Sequence, residues 1–87
     1  MIRVLVVDDH PVVREGLISV LEDQPDLQII GAAGSAEEAL SLVRRLRPDV
    51  VLLDLELPGM GGLAAIPYLL AGSAPPRVLV FTAYDTD

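Results

Sequence analysis

The sequence predicts an α/β domain, a doubly wound parallel sheet of four strands. Three observations predict it. Short runs rich in valine, leucine and isoleucine recur at 4–7, 27–33, 50–53 and 77–81. Stretches of helical periodicity separate them. The first run ends in Asp8-Asp9, the third in Asp54 and the fourth in Thr82-Ala83. Continuous apolar runs suit strands covered on both faces, as in parallel sheets. Strict β-α alternation then calls for right-handed crossovers, with helices laid on the sheet.

The elements follow in order. Val4-Leu5-Val6-Val7 is the first strand. From Pro11 the period becomes helical, with Val13, Leu17, Val20 and Leu21 on one face and Arg14, Glu15 and Glu22 elsewhere on the wheel. Pro11 suits a first turn, where its missing N–H costs nothing. Asp23-Gln24-Pro25-Asp26 ends this helix, and residues 27–33 form a weaker strand. Ser35 is the expected N-cap of a second helix, and Glu38 three residues later completes a capping-box pattern. Ala39, Leu40, Val43 and Leu46 make its apolar stripe. Arg44, Arg45 and Arg47 crowd its end, where cations suit the helix dipole, and Pro48 stops it. Val50-Val51-Leu52-Leu53 is the most apolar strand and is expected at the centre of the sheet. After the loop Pro58-Gly59-Met60-Gly61-Gly62, a third helix is expected over about 63–70, kinked or shortened by Pro67. Residues 71–76 form another loop, and 77–81 the fourth strand.

Composition narrows the function classes. Eighty-seven residues make at most one domain, and 52% hydrophobic content suffices for its core. No apolar run approaches the roughly 20 residues that span a bilayer. Met1-Ile2-Arg3 leads straight into a strand, so no signal peptide is expected. The absence of cysteine excludes disulfides and thiolate metal sites and fits a cytoplasmic setting. Six arginines, no lysine and a net charge of −7 oppose nucleic-acid binding, which needs a basic face.

Ligand sites in open α/β sheets lie beyond the carboxyl ends of the strands. Asp8, Asp9, Asp54 and Thr82 are all expected there, so three carboxylates and a hydroxyl should meet in one pocket. Mg²⁺ prefers oxygen ligands and takes one or two protein carboxylates beside several waters. Asp8 and Asp9 fit that need. Asp54, beside a bound cation, could attack phosphorus to give an acyl phosphate. Against this stands a structural role, since Asp8 or Asp9 could simply cap the helix starting at Pro11. The full set of elements, in order and at strand ends, favours the site.

The chain resembles the receiver domain of bacterial two-component response regulators. The resemblance rests on Val-Val-Asp-Asp-His (6–10), Asp-Val-Val-Leu-Leu-Asp-Leu (49–55), Leu-Pro-Gly-Met-Gly-Gly (57–62) and Val-Phe-Thr-Ala (80–83). The stretch from Asp8 to Leu17 is similar to the NarL/LuxR-type subfamily. The resemblance covers the whole chain and implies a flavodoxin-like receiver fold with strand order 2-1-3-4. It implies that Asp54 accepts a phosphoryl group from a sensor histidine kinase. Asp8 and Asp9 would hold Mg²⁺ together with Asp54 and the main-chain carbonyl of Glu56. Thr82 would bond a phosphoryl oxygen and move inward, small Ala83 would leave room above the phosphoryl group, and Pro58 and Gly62 would shape the loop. His10 reads as a loop residue near the pocket rather than a ligand. The Glu56 side chain reads as a solvated loop glutamate, and Tyr84 as an exposed loop tyrosine.

Against the family pattern, residues 1–87 form a receiver incomplete at its C-terminus. The fourth helix, fifth strand, fifth helix, pocket lysine and helix-turn-helix output domain are all missing. DNA binding is therefore not expected of this polypeptide. The fourth strand should present an open edge that recruits other strands, giving a homodimer or a domain-swapped oligomer. The main reading is a phosphoacceptor domain switching an output, in a longer parent a transcriptional one. The alternative is an assembly fragment that keeps the fold without phosphorylation. An Asp-nucleophile phosphatase ranks last, because Asp54-Leu55-Glu56 carries glutamate where haloacid-dehalogenase-type enzymes place a second aspartate.

Overall fold

The computed structural model describes residues 1–82; Ala83 and Tyr84, which figured in the sequence reading, lie outside the described residues. The elements run β1 (Ile2–Val7), α1 (Pro11–Glu22), β2 (Leu27–Ala33), α2 (Ala36–Leu46), β3 (Val50–Asp54), α3 (Gly62–Leu69) and β4 (Arg77–Phe81). All strand pairings are parallel, and the sheet order is β2-β1-β3-β4. The two most apolar strands, β1 and β3, are thus interior, as their unbroken hydrophobic runs require.

Side chains alternate across a strand, and the two sheet faces are covered differently. Leu5, Val7, Ala33, Val51 and Leu53 face α2 and α3 and form one buried cluster with Ala36, Ala39, Leu57, Ala65 and Leu69. Val4 and Val6, also buried, face the other way, where α1 lies against β1 and β2. No residue of α1 is fully buried. Its inward stripe is Val13, Leu17, Ile18 and Leu21, all half-buried; Val20, expected on that stripe, is 65% exposed, and Ile18 takes its place. On β4, Leu79 and Val80 are 57% and 47% exposed, while Val78 packs against the core cluster.

The helix ends follow local chemistry. Ser35 Oγ accepts the Glu38 N–H at 3.1 Å, as the capping box predicts. Glu38 Oε1 reaches one residue further back than expected and accepts the Gly34 N–H at 2.7 Å. At the other end of α2, Arg47 is a left-handed cap with φ 49°, alone among the described non-glycine residues in having positive φ. The orphan carbonyls there are met from β1: Arg3 donates its two guanidinium nitrogens to the Leu46 and Arg47 oxygens, each at 2.6 Å. Helix α3 begins one residue earlier than expected, at Gly62, and contains Pro67. With a ring that cannot donate in its last turn, it ends after eight residues. Among the described residues no helix is long and apolar enough to cross a membrane.

Candidate phosphoacceptor pocket

The carboxyl ends of β1 and β3 are neighbours, with Val7 opposite Leu53. One residue further, Asp54 ends β3 and Asp8 leaves β1, and both are fully buried. The Asp8 backbone is fixed from both sides. Its N–H donates to the Ala33 carbonyl at 3.0 Å, and its own carbonyl accepts Arg14 Nη1 at 2.9 Å. The Asp8 carboxylate folds back on the chain, with Oδ1 accepting the His10 N–H at 2.8 Å. Asp8 and Asp9 therefore do not cap α1. The N-cap is His10, with no side-chain bond into the helix. Asp8 Oδ1 thus has a local structural role at the N-cap backbone, while Asp8 Oδ2 and Asp9 Oδ1 do not.

On β3 the nucleophile candidate is held by one oxygen. Asp54 Oδ1 accepts the Glu56 N–H at 2.9 Å, while Oδ2 is buried without a hydrogen-bond partner. Asp8 Oδ2 and Asp9 Oδ1 are likewise buried and lack one. Buried carboxylate oxygens without donors are costly. Three of them in one place make a negative cavity whose natural complement is a cation. Asp8, Asp9, His10 and Asp54 each offer a ligand atom, and these atoms lie within 4.8 Å of one another. The donor set fits a hard divalent cation with respect to its carboxylate oxygens.

The electrostatics agree with that geometry. Burial pushes the Asp54 carboxyl above the ordinary aspartate range; the Glu56 N–H opposes this, and the nearby charges of Asp8 and Asp9 reinforce it. The His10 imidazole is shifted upward, first by its hydrogen bond to Asp8 and then by the charge of Asp9. His10 is a loop residue beside the pocket. Its Nδ1 lies 3.1 Å from Asp8 Oδ1, 3.0 Å from Asp9 Oδ1 and 4.0 Å from Asp54 Oδ2, so the exposed ring turns this nitrogen onto the carboxylates. A protonated imidazole there supplies positive charge where a metal ion would. The sequence signal was simply its adjacency to the acidic pair.

Thr82 also departs from expectation. Its hydroxyl does not join the three carboxylates. It is exposed and donates to Glu56 Oε1 at 3.2 Å. Glu56 is consequently more than a solvated loop residue, since its backbone holds Asp54 and its side chain holds Thr82. The loop after β3 is shaped as the glycines require. Gly59 and Gly61 take positive φ of 72° and 80°. A Cβ on Gly62 would lie 2.4 Å from the Asp54 carbonyl oxygen and 2.7 Å from Leu55 Cα. Only glycine lets α3 start this close to the strand that carries Asp54.

Comparison with known proteins bears on the family and the fold. The family model for the response regulator receiver domain matches residues 4–87. Response regulator GacA of Pseudomonas aeruginosa is 47% identical over the whole chain, and the transcriptional regulatory protein LiaR of Bacillus subtilis is 42% identical. The chain spans 41% of the length of each. Among solved structures, the signal receiver domain of a NarL response regulator from Mycobacterium tuberculosis superposes with a TM-score of 0.88 at 38% identity, covering 97% of this chain and 68% of that one. A LuxR-family response regulator from Aurantimonas gives 0.90 at 39% identity, covering 98% of this chain and 61% of that one.

Proposed function

Because this chain belongs to the response regulator receiver family, we propose that it accepts a phosphoryl group on Asp54 from the phosphohistidine of a sensor kinase. The observation that carries this reading is the Asp54 carboxylate, buried at the carboxyl edge of the sheet with one oxygen anchored and the other free. The Glu56 N–H fixes Oδ1, which leaves Oδ2 to attack. A new P–O bond forms to Oδ2 as the P–N bond of phosphohistidine breaks. Its electron pair leaves with the imidazole nitrogen, which takes up a proton.

Mg²⁺, held by Asp8, Asp9, Asp54 and the main-chain carbonyl of Glu56, would offset the charge of the phosphoryl oxygens. The chain's own residues do the rest. Asp8 is pinned by Arg14 and Ala33. Gly62 fixes the Asp54 backbone. The Thr82 hydroxyl leaves Glu56 for a phosphoryl oxygen once the acyl phosphate is present, and that movement is the signal. In a longer protein, the relatives named as regulators make transcription the favoured output, in a cytoplasmic setting. The domain itself is a switch rather than an enzyme.

Intact mass of the chain with acetyl phosphate tests the reading. A phosphoryl increment that needs both Mg²⁺ and Asp54 is expected, and an increment that survives Asp54→Asn would overturn it. The edge position of β4, with Leu79 and Val80 exposed, supports a second reading, assembly through strand addition. It predicts a molecular mass that rises with concentration in light scattering, independent of phosphodonor.

A further inference from the structure

The sheet has a second charged end, and the phosphoacceptor reading does not use it. At the edge opposite Asp54, the C-terminal ends of α2 and α3 and the loop before β4 enclose a cleft of about 250 Å³. Leu40, Val43 and Leu69 line it with apolar surface, and Arg44, Arg47 and Tyr68 add polar groups. We infer that this cleft receives an acidic segment of a partner protein. A carboxylate of the segment pairs with Arg44 and Arg47, and one apolar side chain rests on the half-buried Leu40 and Val43.

Three observations carry the inference. First, both arginines are exposed, and among the described residues neither forms an ion pair, although the chain holds thirteen acidic residues. Their charge is therefore available to an outside anion. Second, they are not needed to cap α2. Arg3 already donates to the Leu46 and Arg47 carbonyls, so the usual service of cations at a helix C-terminus is supplied from β1. Third, Arg47 stands at φ 49° in the cap position that glycine ordinarily fills. An arginine is kept where the backbone favours a residue without Cβ, and its side chain lines the cleft.

The chemistry selects the occupant. A free inorganic anion would leave the apolar lining unused. A nucleic acid would meet a molecule of net charge −7. An acidic segment with one large apolar side chain uses both parts of the cleft, as interface anchors do. The cleft and the aspartate pocket lie at opposite ends of the strands, so both can be occupied at once.

The test is an NMR titration of the isotopically labelled chain with a capped pentapeptide of four glutamates around one phenylalanine. The expected result is saturable shifts at Leu40, Val43 and Tyr68, weakened by salt. Arg44→Gln and Arg47→Gly should each weaken binding about three- to fivefold, the range for exposed ion pairs. Arg47→Gly keeps the fold testable, because glycine suits the left-handed cap and the unfolding midpoint should hold or rise. Equal binding of a lysine-flanked peptide, shifts unmoved by Arg47→Gly, or no saturable shift would overturn the inference. So would displacement by inorganic phosphate at the peptide's own affinity, which marks a small-anion site instead.

Discussion

The two ends of β3 each carry an aspartate next to the strand, and the two are built to opposite rules. Asp49, just before the strand, is exposed, and its Oδ2, main-chain carbonyl and N–H are occupied. Oδ2 accepts the Arg3 N–H at 2.8 Å, its N–H donates to the Arg3 carbonyl at 2.8 Å, and its carbonyl accepts the Arg77 N–H at 3.0 Å. It ties β1, β3 and β4 together at their entry. Asp54, at the exit, is buried and keeps one carboxylate oxygen without a donor. A satisfied polar group holds a fold together, whereas a buried unsatisfied one marks a place where something else binds. The same residue type is exposed and bonded before the strand and buried with an unpartnered oxygen at its end.

The contrast can be broken most sharply at Asp54. Asp54→Asn should remove Mg²⁺-dependent uptake of phosphoryl from acetyl phosphate, a loss of at least about a hundredfold, because an amide oxygen cannot form the acyl phosphate. Asp49→Asn should leave uptake within about twofold, since Asn retains an acceptor for the Arg3 N–H. Phosphoprotein yield by intact mass reads both variants.

Gly62→Ala is the next largest change. The added Cβ meets the Asp54 carbonyl oxygen at 2.4 Å, a clash with backbone that only a shift of α3 or β3 relieves. A loss of about 2–3 kcal/mol is expected in urea unfolding, together with slower phosphoryl uptake. Gly16→Ala, where no atom lies within 4 Å of the added Cβ, should instead hold or raise stability, as replacement of glycine within a helix does.

Charge removal gives the smallest effect, and its sign is fixed by the raised Asp54 carboxyl. Ionised Asp54 costs folding energy without metal. The cost is absent below the ordinary aspartate pKa of about 4. It develops as pH rises from there through the raised folded-state value, and it is complete above that value. Metal-free Asp54→Asn should therefore be more stable than the parent at neutral pH, by on the order of 1 kcal/mol. The advantage should vanish in acid. Unfolding curves across pH check it, and a parent that outlasts the variant at neutral pH would contradict the electrostatics.

How much was legible in the sequence follows from the range of each interaction. The strands were legible because burial on both faces demands unbroken apolar runs, and Asp8 and Asp54 because a carboxylate that interrupts such a run must sit at its end. Ser35 and Glu38 were legible because a capping box is local. The sheet order came from family resemblance rather than from periodicity. The position of the His10 ring was not legible, since it depends on the extended backbone at φ −97° and ψ 107° that turns it onto the carboxylates. Thr82 directly follows β4, as expected, but its side-chain rotamer brings the hydroxyl to Glu56, and no spacing rule specifies a rotamer. Arg3 capping α2 joins residues more than forty positions apart, which no local pattern reveals. Val20 lost its expected place to Ile18 on the α1 face that packs against β1 and β2.

The contrast between Asp49 and Asp54 rests on one claim, that the unsatisfied oxygens at the exit of β3 form a divalent-cation site. Calorimetric titration of Mg²⁺ into the parent, Asp54→Asn and Asp49→Asn tests it directly. One Mg²⁺ per chain is predicted for the parent and for Asp49→Asn with similar affinity, and binding at least about tenfold weaker for Asp54→Asn. Equal affinity in all three, or loss in Asp49→Asn alone, would contradict it.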